Sequence, residues 1–164
     1  MSKIRFTEPN REILARRDSI INDLTRLVDP AGLITSTDEC RAYETDALTA
    51  YRKMPLAVVL PKTTEEVSAV LKYCHDTGVK VVPRGAGTSL AGGAIPSEDA
   101  VVLGLSKMNR VLAVNYDDRF IRVEAGVTNL SVTAVVAENG FFYAPDPSSQ
   151  LACTIGGNIA NNSG

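Results

Sequence analysis

The stretch that decides the fold is Val79-Lys80-Val81-Val82-Pro83-Arg84-Gly85-Ala86-Gly87-Thr88-Ser89-Leu90-Ala91-Gly92-Gly93. Its first four residues are typical of a short strand, and a loop with four glycines, two hydroxyls and one arginine follows directly. Glycine allows a positive φ and lets another molecule approach bare backbone N–H groups. A row of such groups forms a concave site for an anion, most often a phosphate. The stretch therefore predicts an anion site, with a ligand-free turn between sheet segments as the alternative.

The residues before this loop predict a strand–helix–strand unit. Residues 57–60 are apolar and typical of a buried strand. Thr63 and Glu66 have the spacing of a capping box that begins a helix, and Gly78 ends that helix. Because strands joined through one helix are normally parallel, we expect the strands at residues 57–60 and 79–82 to run in the same direction.

The N-terminal part of the chain predicts helices. Apolar residues recur with helical spacing over residues 9–28, with Thr7 and Pro9 as a start and residues 29–32 as an end. Residues 36–49 are polar and predict a short helix capped by Ser36 or Thr37.

The part that follows the glycine-rich loop mixes strands and one helix. A strand is predicted at residues 100–105, and a hairpin at residues 111–115 and 120–125. A helix is predicted from Thr128 to Gly140, and residues 143–164 are expected to be irregular. Strands and helices interleave without strict alternation, so the fold class is α+β, or mixed α/β.

Composition excludes several classes of protein. A chain of 164 residues can bury one core, and a net charge of −2 argues against a general nucleic-acid binder. No apolar run approaches the ~20 residues of a membrane-spanning helix. The three cysteines form no C-x-x-C pair, which argues against a zinc or iron–sulfur site and favours a reducing cytoplasm.

The glycine-rich loop fits neither common nucleotide-binding motif. A Rossmann fingerprint needs G-x-G-x-x-G at the start of a helix, but Leu90 stands where the third glycine would be. A P-loop needs G-K-[ST], and no lysine lies between Lys80 and Lys107.

A second unusual segment lies near the C-terminus. Residues 144–149 read Ala-Pro-Asp-Pro-Ser-Ser, and residues 154–164 read Thr-Ile-Gly-Gly-Asn-Ile-Ala-Asn-Asn-Ser-Gly. Two loops in which prolines fix the backbone and glycines open it predict a long ligand held from two sides.

Together, residues 83–89, 145–149 and 153–158 closely resemble the FAD-linked oxidases of the vanillyl-alcohol oxidase/PCMH superfamily. Within it, the chain is most similar to the branch that holds the flavin subunit of bacterial glycolate oxidase and the D-lactate and D-2-hydroxyglutarate dehydrogenases. The resemblance implies a PCMH-type FAD-binding domain at residues 51–164, incomplete at its C-terminus, after an N-terminal helical segment at residues 1–50.

The resemblance also implies which residues bind FAD. Backbone N–H groups of residues 84–89, with the hydroxyls of Thr88 and Ser89, would hold the pyrophosphate, and the second segment would line the ribityl chain and the flavin. The residues implied in this way are Pro83, Arg84, Gly85, Ala86, Gly87, Thr88, Ser89, Pro145, Asp146, Ser149, Thr154, Gly156, Gly157 and Asn158.

Several of these side chains keep two interpretations. Arg84 balances phosphate charge or forms a structural ion pair, and Asp146 contacts the cofactor or fixes its own turn. Cys153 is expected to be a packing residue. Some family members attach FAD covalently through a histidine in this loop. Because the loop has Thr88 instead, and His75 is expected to be a solvated or capping residue of its helix, non-covalent FAD is implied.

The implied activity is that of an FAD-dependent 2-hydroxy-acid oxidase or dehydrogenase, which passes a hydride from the α-carbon of glycolate or D-lactate to flavin N5. No catalytic residue and no metal ligand is assigned, because in the family these lie in a later domain, so we expect this part to be inactive alone. The implied partners are the substrate and the iron–sulfur and second flavin-domain subunits of a glycolate oxidase complex, which would hold the protein at the inner membrane from the cytoplasm. A nucleotide- or anion-binding module without catalysis and an FAD-dependent enolpyruvyl-sugar reductase remain alternatives.

Overall fold

The computed structural model describes residues 7–163, and its centre is a four-stranded sheet in the order β1-β2-β4-β3. The strands are β1 (Leu33–Ile34), β2 (Ala57–Val59), β3 (Lys80–Arg84) and β4 (Ala100–Gly104). Strand β4 pairs in parallel with both β2 and β3, whereas β1 pairs antiparallel with β2. The predicted parallel direction of β2 and β3 is therefore confirmed, although β4 lies between them.

The helix between the first two parallel strands forms as its capping signals predict. Helix α4 (Thr64–Thr77) begins at Thr63, whose side chain accepts a hydrogen bond from the Glu66 N–H. It ends at Gly78 in the left-handed conformation, with φ of 73°. Val70 and Cys74, four residues apart, are its buried residues, so one face packs on the sheet.

The predicted N-terminal helix is divided in two. Helices α1 (Arg11–Ala15) and α2 (Arg17–Leu24) are separated at Arg16, whose ψ of 9° leaves the helical range and whose N–H donates to the Ile13 carbonyl three residues back. The expected start at Thr7 and Pro9 is wrong by a few residues, because the Asn10 side chain caps α1 by accepting from the Glu12 N–H.

The N-terminal helices share one core with the sheet. Ile13, Ile20 and Leu24 have the expected helical spacing and are buried in the same cluster as residues of β2, β4 and α4. The division of the chain at residues 50 and 51 remains a proposal, and residues 1–6 of the predicted N-terminal segment lie outside the described residues. The short helix α3 (Thr37–Cys40) follows Ser36, as expected.

A second, two-stranded sheet follows. Strands β5 (Val111–Asn115) and β6 (Phe120–Val123) form the predicted antiparallel hairpin, and helix α5 (Asn129–Val136) begins at Thr128. The helical turn ends at Gly140, after a short 3₁₀ segment.

The C-terminal segment corrects one expectation. The sequence predicts irregular structure over residues 143–164, but helix α6 (Ile155–Asn161) lies there. Thr154 caps this helix by accepting from the Gly157 N–H, so a helix-starting signal is present despite the glycines. Strand β1 is also absent from the sequence-based prediction, because two residues carry no periodicity.

Candidate functional site

The glycine-rich loop leaves the end of β3, so Pro83 and Arg84 belong to the strand and residues 85–93 form the loop. Within the described part of the chain, none of the backbone N–H groups of residues 85–88 donates to a protein acceptor. Gly87 has a φ of 73°, a conformation that favours glycine. The loop therefore presents several unpaired donors next to one another.

The first N–H groups of α6, unlike those of the loop, already donate hydrogen bonds within the protein. The Ile155 and Gly156 N–H groups donate to the carbonyls of Val127 and Ala125, each at 2.9 Å, and the Gly157 N–H donates to the Thr154 hydroxyl at 3.2 Å. The free donors for an anion thus come from the loop after β3 and not from the start of α6.

The two glycine-rich segments touch each other. A Cβ built on Gly85 would collide with the Thr154 hydroxyl, which shows how closely the loop approaches the start of α6. The Ser89 hydroxyl donates to the Asn161 side chain at 3.2 Å, a second link between the segments. The two loops expected to hold one ligand from two sides therefore form adjacent walls.

Between these walls lies a cleft of about 580 Å³, a volume in the range of small-molecule sites. Most of the expected cofactor-binding residues line it: Pro83, Arg84, Gly85, Ala86, Gly87, Thr88, Ser89, Ser149, Thr154, Gly156, Gly157 and Asn158. Further residues from the two segments also line it: Gly93, Ala94, Pro147, Ser148, Cys153, Ala160, Asn161 and Ser163. Leu105 and Ala125 come from the ends of the predicted strands, and no feature of the sequence pointed to them.

Two expected residues do not line the cleft. Asp146 is exposed, and Pro145 is held from behind because its carbonyl accepts from the Asn129 side chain at 3.1 Å. Asn129 is itself only 1% exposed, and its N–H donates to the Cys153 carbonyl. The segment before Pro147 is thus fixed by the start of α5.

The cleft suits an anion electrostatically. Among the described residues that line it, Arg84 carries the one full charge, and none is a carboxylate. Burial lowers the pKa of Arg84, and the nearby Asp46 opposes that effect. Arginine is not deprotonated in proteins, so the guanidinium is charged. The Arg84 Nη1 donates to the Thr45 carbonyl at 2.7 Å.

A buried donor also lies on the cleft wall. The Asn158 side chain is 5% exposed, and its Nδ2 has no hydrogen-bond partner in the protein. Since a buried amide without a partner is costly, this group is suited to a ligand acceptor.

Other polar groups lie apart from the cleft or pack within the protein. His75 is exposed in the last turn of α4 and does not line the cleft. Cys153 is a buried free cysteine on the cleft wall, whereas Cys40 and Cys74 are buried elsewhere. Residues 7–163 contain no cluster of three or more side chains able to hold a metal ion. No helix in that range combines the length and apolar character needed to cross a bilayer.

The comparisons with known proteins identify the family. The chain belongs to the FAD binding domain family, whose model matches residues 55–164. FAD is accordingly the cofactor of this family, and the expected membership of an FAD-binding family is confirmed.

Curated relatives agree with this family. The chain is 47% identical to the glycolate oxidase subunit GlcD of Escherichia coli K12 over 148 residues, which cover 90% of this chain and 30% of the relative. It is 36% identical to a D-2-hydroxyglutarate dehydrogenase of Xanthomonas citri pv. viticola, over 90% of this chain and 31% of the relative. The chain thus spans about a third of the length of these relatives.

Solved structures confirm the PCMH-type fold. An alkyldihydroxyacetonephosphate synthase superposes with a TM-score of 0.80 at 21% identity, over 96% of this chain and 30% of that one. p-Cresol methylhydroxylase with substrate bound also superposes with a TM-score of 0.80, at 19% identity, over 94% of this chain and 30% of that one. At these identities the likeness concerns the fold alone.

Proposed function

We propose that this chain binds FAD in the cleft between its two glycine-rich segments, with the pyrophosphate at residues 85–88. The observation that carries this proposal is the set of unpaired N–H groups in residues 85–88, in a cleft whose lining has no carboxylate. Such an arrangement stabilises a double negative charge without any change in the protein. The Thr88 hydroxyl adds a donor at the same wall, whereas the Ser89 hydroxyl already donates to Asn161.

The second segment would hold the inner part of the cofactor. Gly156 and Gly157 allow a close approach, and the unpaired Nδ2 of Asn158 offers a donor to the ribityl chain or the ring. Ser149 and Thr154 line the same region. Pro145 and Asp146 belong to this proposal indirectly, as residues that set the course of the segment before Pro147.

The FAD would be held without a covalent bond. The loop of residues 85–93 has no histidine, and His75 lies in α4, away from the residues that line the cleft. Acid precipitation of the holoprotein should therefore release the flavin into the supernatant. Flavin that stays with the precipitate would show a covalent link.

The activity proposed for the protein is that of a 2-hydroxy-acid oxidoreductase. GlcD and the D-2-hydroxyglutarate dehydrogenases among its relatives carry the names of such enzymes. Bound FAD would accept the hydride from the α-carbon of the hydroxy acid. The product, once the hydroxyl proton is also lost, would be a 2-oxo acid. The described residues bind and orient the cofactor, and we assign none of them to proton transfer.

The proposed setting follows from the same relatives. The name of GlcD describes one subunit of a glycolate oxidase. By that likeness, the protein would act with iron–sulfur and second flavin-domain subunits, in the cytoplasm and at the inner membrane through those partners.

The test is an absorption titration of the full-length protein with FAD, followed by desalting and assay. Retained flavin, together with dye reduction by glycolate, D-lactate or D-2-hydroxyglutarate, is expected. Retained flavin without turnover of any of these acids would favour a binding module without this activity. Reduction of an enolpyruvyl sugar by NADPH would assign the other reaction, and failure to retain flavin would contradict the proposal.

A further inference from the structure

Arg84 is the one charged residue among the described residues that line the cleft, and its guanidinium contacts side chain and backbone of other residues of the protein. Its Nη1 donates to the Thr45 carbonyl at 2.7 Å, and its guanidinium carbon lies 5.5 Å from the centre of the Tyr43 ring. A guanidinium held by a cation–π contact and by a hydrogen bond to a carbonyl is restricted in its orientation. These contacts anchor the end of β3 to the segment that follows α3.

The segment that contains Tyr43 and Thr45 also contacts the far end of the turn formed by residues 85–87. The Ala47 N–H donates to the Gly87 carbonyl at 2.9 Å. The guanidinium of Arg84 fills the space in which a Cβ on Gly87 would lie. The backbone of residues 85–87 is therefore fixed between Arg84, Ala47 and Thr45, three groups that lie outside the loop.

The protein itself supplies a carboxylate, that of Asp46, which interacts with the charge of Arg84. Asp46 is 4% exposed, its Oδ1 accepts from the Leu48 N–H at 2.9 Å, and its Oδ2 has no hydrogen-bond partner. Its attraction to Arg84 is the largest effect that opposes the burial of the guanidinium. A buried carboxylate of the protein itself therefore attracts the guanidinium.

We propose that Arg84 is a positioning residue that acts through Thr45 and Gly87 to fix the anion-binding turn, and that it is not itself a phosphate ligand. The segment of residues 43–47, which we call the brace, would hold the N–H groups of residues 85–88 in the geometry that receives the pyrophosphate. This inference rests on the proposed function.

The first test separates a brace from a phosphate ligand by conservative substitution. In the full-length protein, Arg84→Lys keeps the charge but loses the guanidinium that lies over Tyr43 and donates to Thr45, so FAD affinity should fall about tenfold. The same loss is expected for Arg84→Gln. In both variants, the dependence of the FAD Kd on NaCl concentration should be the same as in the wild type, because no ion pair with the ligand has been removed. The affinity for riboflavin, which has no phosphate, should stay unchanged.

The second test removes the brace from outside the cleft. Tyr43→Leu should weaken FAD binding about as much as Arg84→Lys, whereas Tyr43→Phe keeps the ring and should bind like the wild type. Arg26→Gln is the matched control, since it removes an arginine that pairs with Asp23, outside the brace, and has a side chain 78% exposed. It should leave FAD affinity unchanged.

The outcomes decide the proposal in both directions. Full affinity in Arg84→Lys, with a weaker salt dependence in Arg84→Gln, would make Arg84 a phosphate ligand and overturn the inference. Unchanged affinity in Tyr43→Leu would overturn it as well. If the wild type retained no FAD, the proposed function would fail, and hydrogen exchange at the Ala47 amide would then decide the inference. Faster exchange in Arg84→Lys than in Arg26→Gln supports the brace, and equal exchange refutes it.

Discussion

The hydroxyl of Thr154 occupies the space in which a Cβ on Gly85 would lie. Thr154 has little freedom to move, because its Oγ1 also accepts from the Gly157 N–H and caps α6. The distance between the two walls of the cleft therefore depends on the absence of a side chain at residue 85.

The substitution Gly85→Ala should open the cleft. The new methyl group would push the loop away from Thr154, and we expect FAD affinity to fall tenfold or more, a loss of about 1.4 kcal/mol or greater. Overpacking of this kind also costs about 1–3 kcal/mol of stability. Flavin titration and urea unfolding measure the two effects.

Gly93→Ala is the matched control for that change. Gly93 also lines the cleft, but a Cβ there would meet nothing within 4 Å. Its FAD affinity should stay within about twofold of the wild type. Equal losses in both variants would show that the contact with Thr154 is not what Gly85 provides.

Asp99 should make the stability of the protein depend on pH. Its side chain is 1% exposed and accepts from Lys80 Nζ at 2.8 Å, Ser97 Oγ at 2.6 Å and the Asn10 N–H at 2.9 Å. Burial alone raises the pKa of Asp99, but these hydrogen bonds outweigh it and lower the pKa to about 2. Since the unfolded value is about 3.9, the charged carboxylate contributes about 2 kcal/mol above pH 4, which is lost as the pH falls toward 2.

Asp99→Asn should remove that dependence. The variant should unfold at lower urea concentration near pH 6, and its stability should change less between pH 4 and pH 2 than that of the wild type. Glu98→Gln is the control, because Glu98 is a more exposed carboxylate that pairs with Lys53 at the surface. An identical acid profile for Asp99→Asn and Glu98→Gln would contradict the assignment.

Asn129 should be intolerant of a charge. It is 1% exposed, and its Nδ2 donates to the Pro145 carbonyl behind the cleft. Asn129→Asp would place a buried carboxylate against that carbonyl, so we expect a loss of about 3 kcal/mol or more at neutral pH. Burial raises the pKa of such a group, so the loss should shrink as the pH falls and the protonated acid donates to Pro145.

Urea unfolding at pH 7.5 and pH 5 measures the change for Asn129→Asp. Asn139→Asp provides the comparison, since Asn139 also donates through Nδ2, to the Tyr116 hydroxyl at 2.8 Å, but at an exposed position. That variant should lose less than about 1 kcal/mol at both pH values. A similar loss for both variants would show that burial at residue 129 is not decisive.

Local signals in the sequence are sufficient for much of the fold. Thr63, Gly78 and Thr128 each mark a helix end by side-chain capping or left-handed backbone, which depends on neighbouring residues only, and the structure confirms them. The break at Arg16 and the pairing of β4 between β2 and β3 could not be predicted in this way. The position of β4 depends on contacts between residues far apart in the chain, and no local signal in the sequence marks the break at Arg16.

The candidate site shows the same division. The glycine-rich motifs point to both walls of the cleft because glycine patterns are visible in a sequence. Ala125, by contrast, lines the cleft because α6 packs against it two residues after the end of β6, which no pattern reveals. The role of the segment around Thr45 is also hidden from sequence reasoning, since Arg84 reaches it across a separation of 39 residues.

The adjacent glycines at the start of α6 should differ in their tolerance of a methyl group. A Cβ on Gly156 would meet the Ala125 Cβ at 2.9 Å and the Ala125 carbonyl oxygen at 3.0 Å, and the Gly156 N–H donates to that same carbonyl. A Cβ on Gly157 would meet only the Thr154 hydroxyl, at 3.2 Å. The Cβ and backbone of Ala125 cannot move aside, so Gly156→Ala must displace α6 from Ala125, whereas the contact at Gly157 requires a shift of only a few tenths of an ångström.

We therefore expect Gly156→Ala to lose about 1–3 kcal/mol of stability and to weaken FAD binding at least tenfold. Gly157→Ala should keep or gain stability, because alanine favours the helix over glycine by about 1 kcal/mol. Thermal unfolding and flavin titration of both variants measure this contrast. The reverse order would mean that the inner wall of the cleft is set by Thr154 and not by the contact between α6 and Ala125.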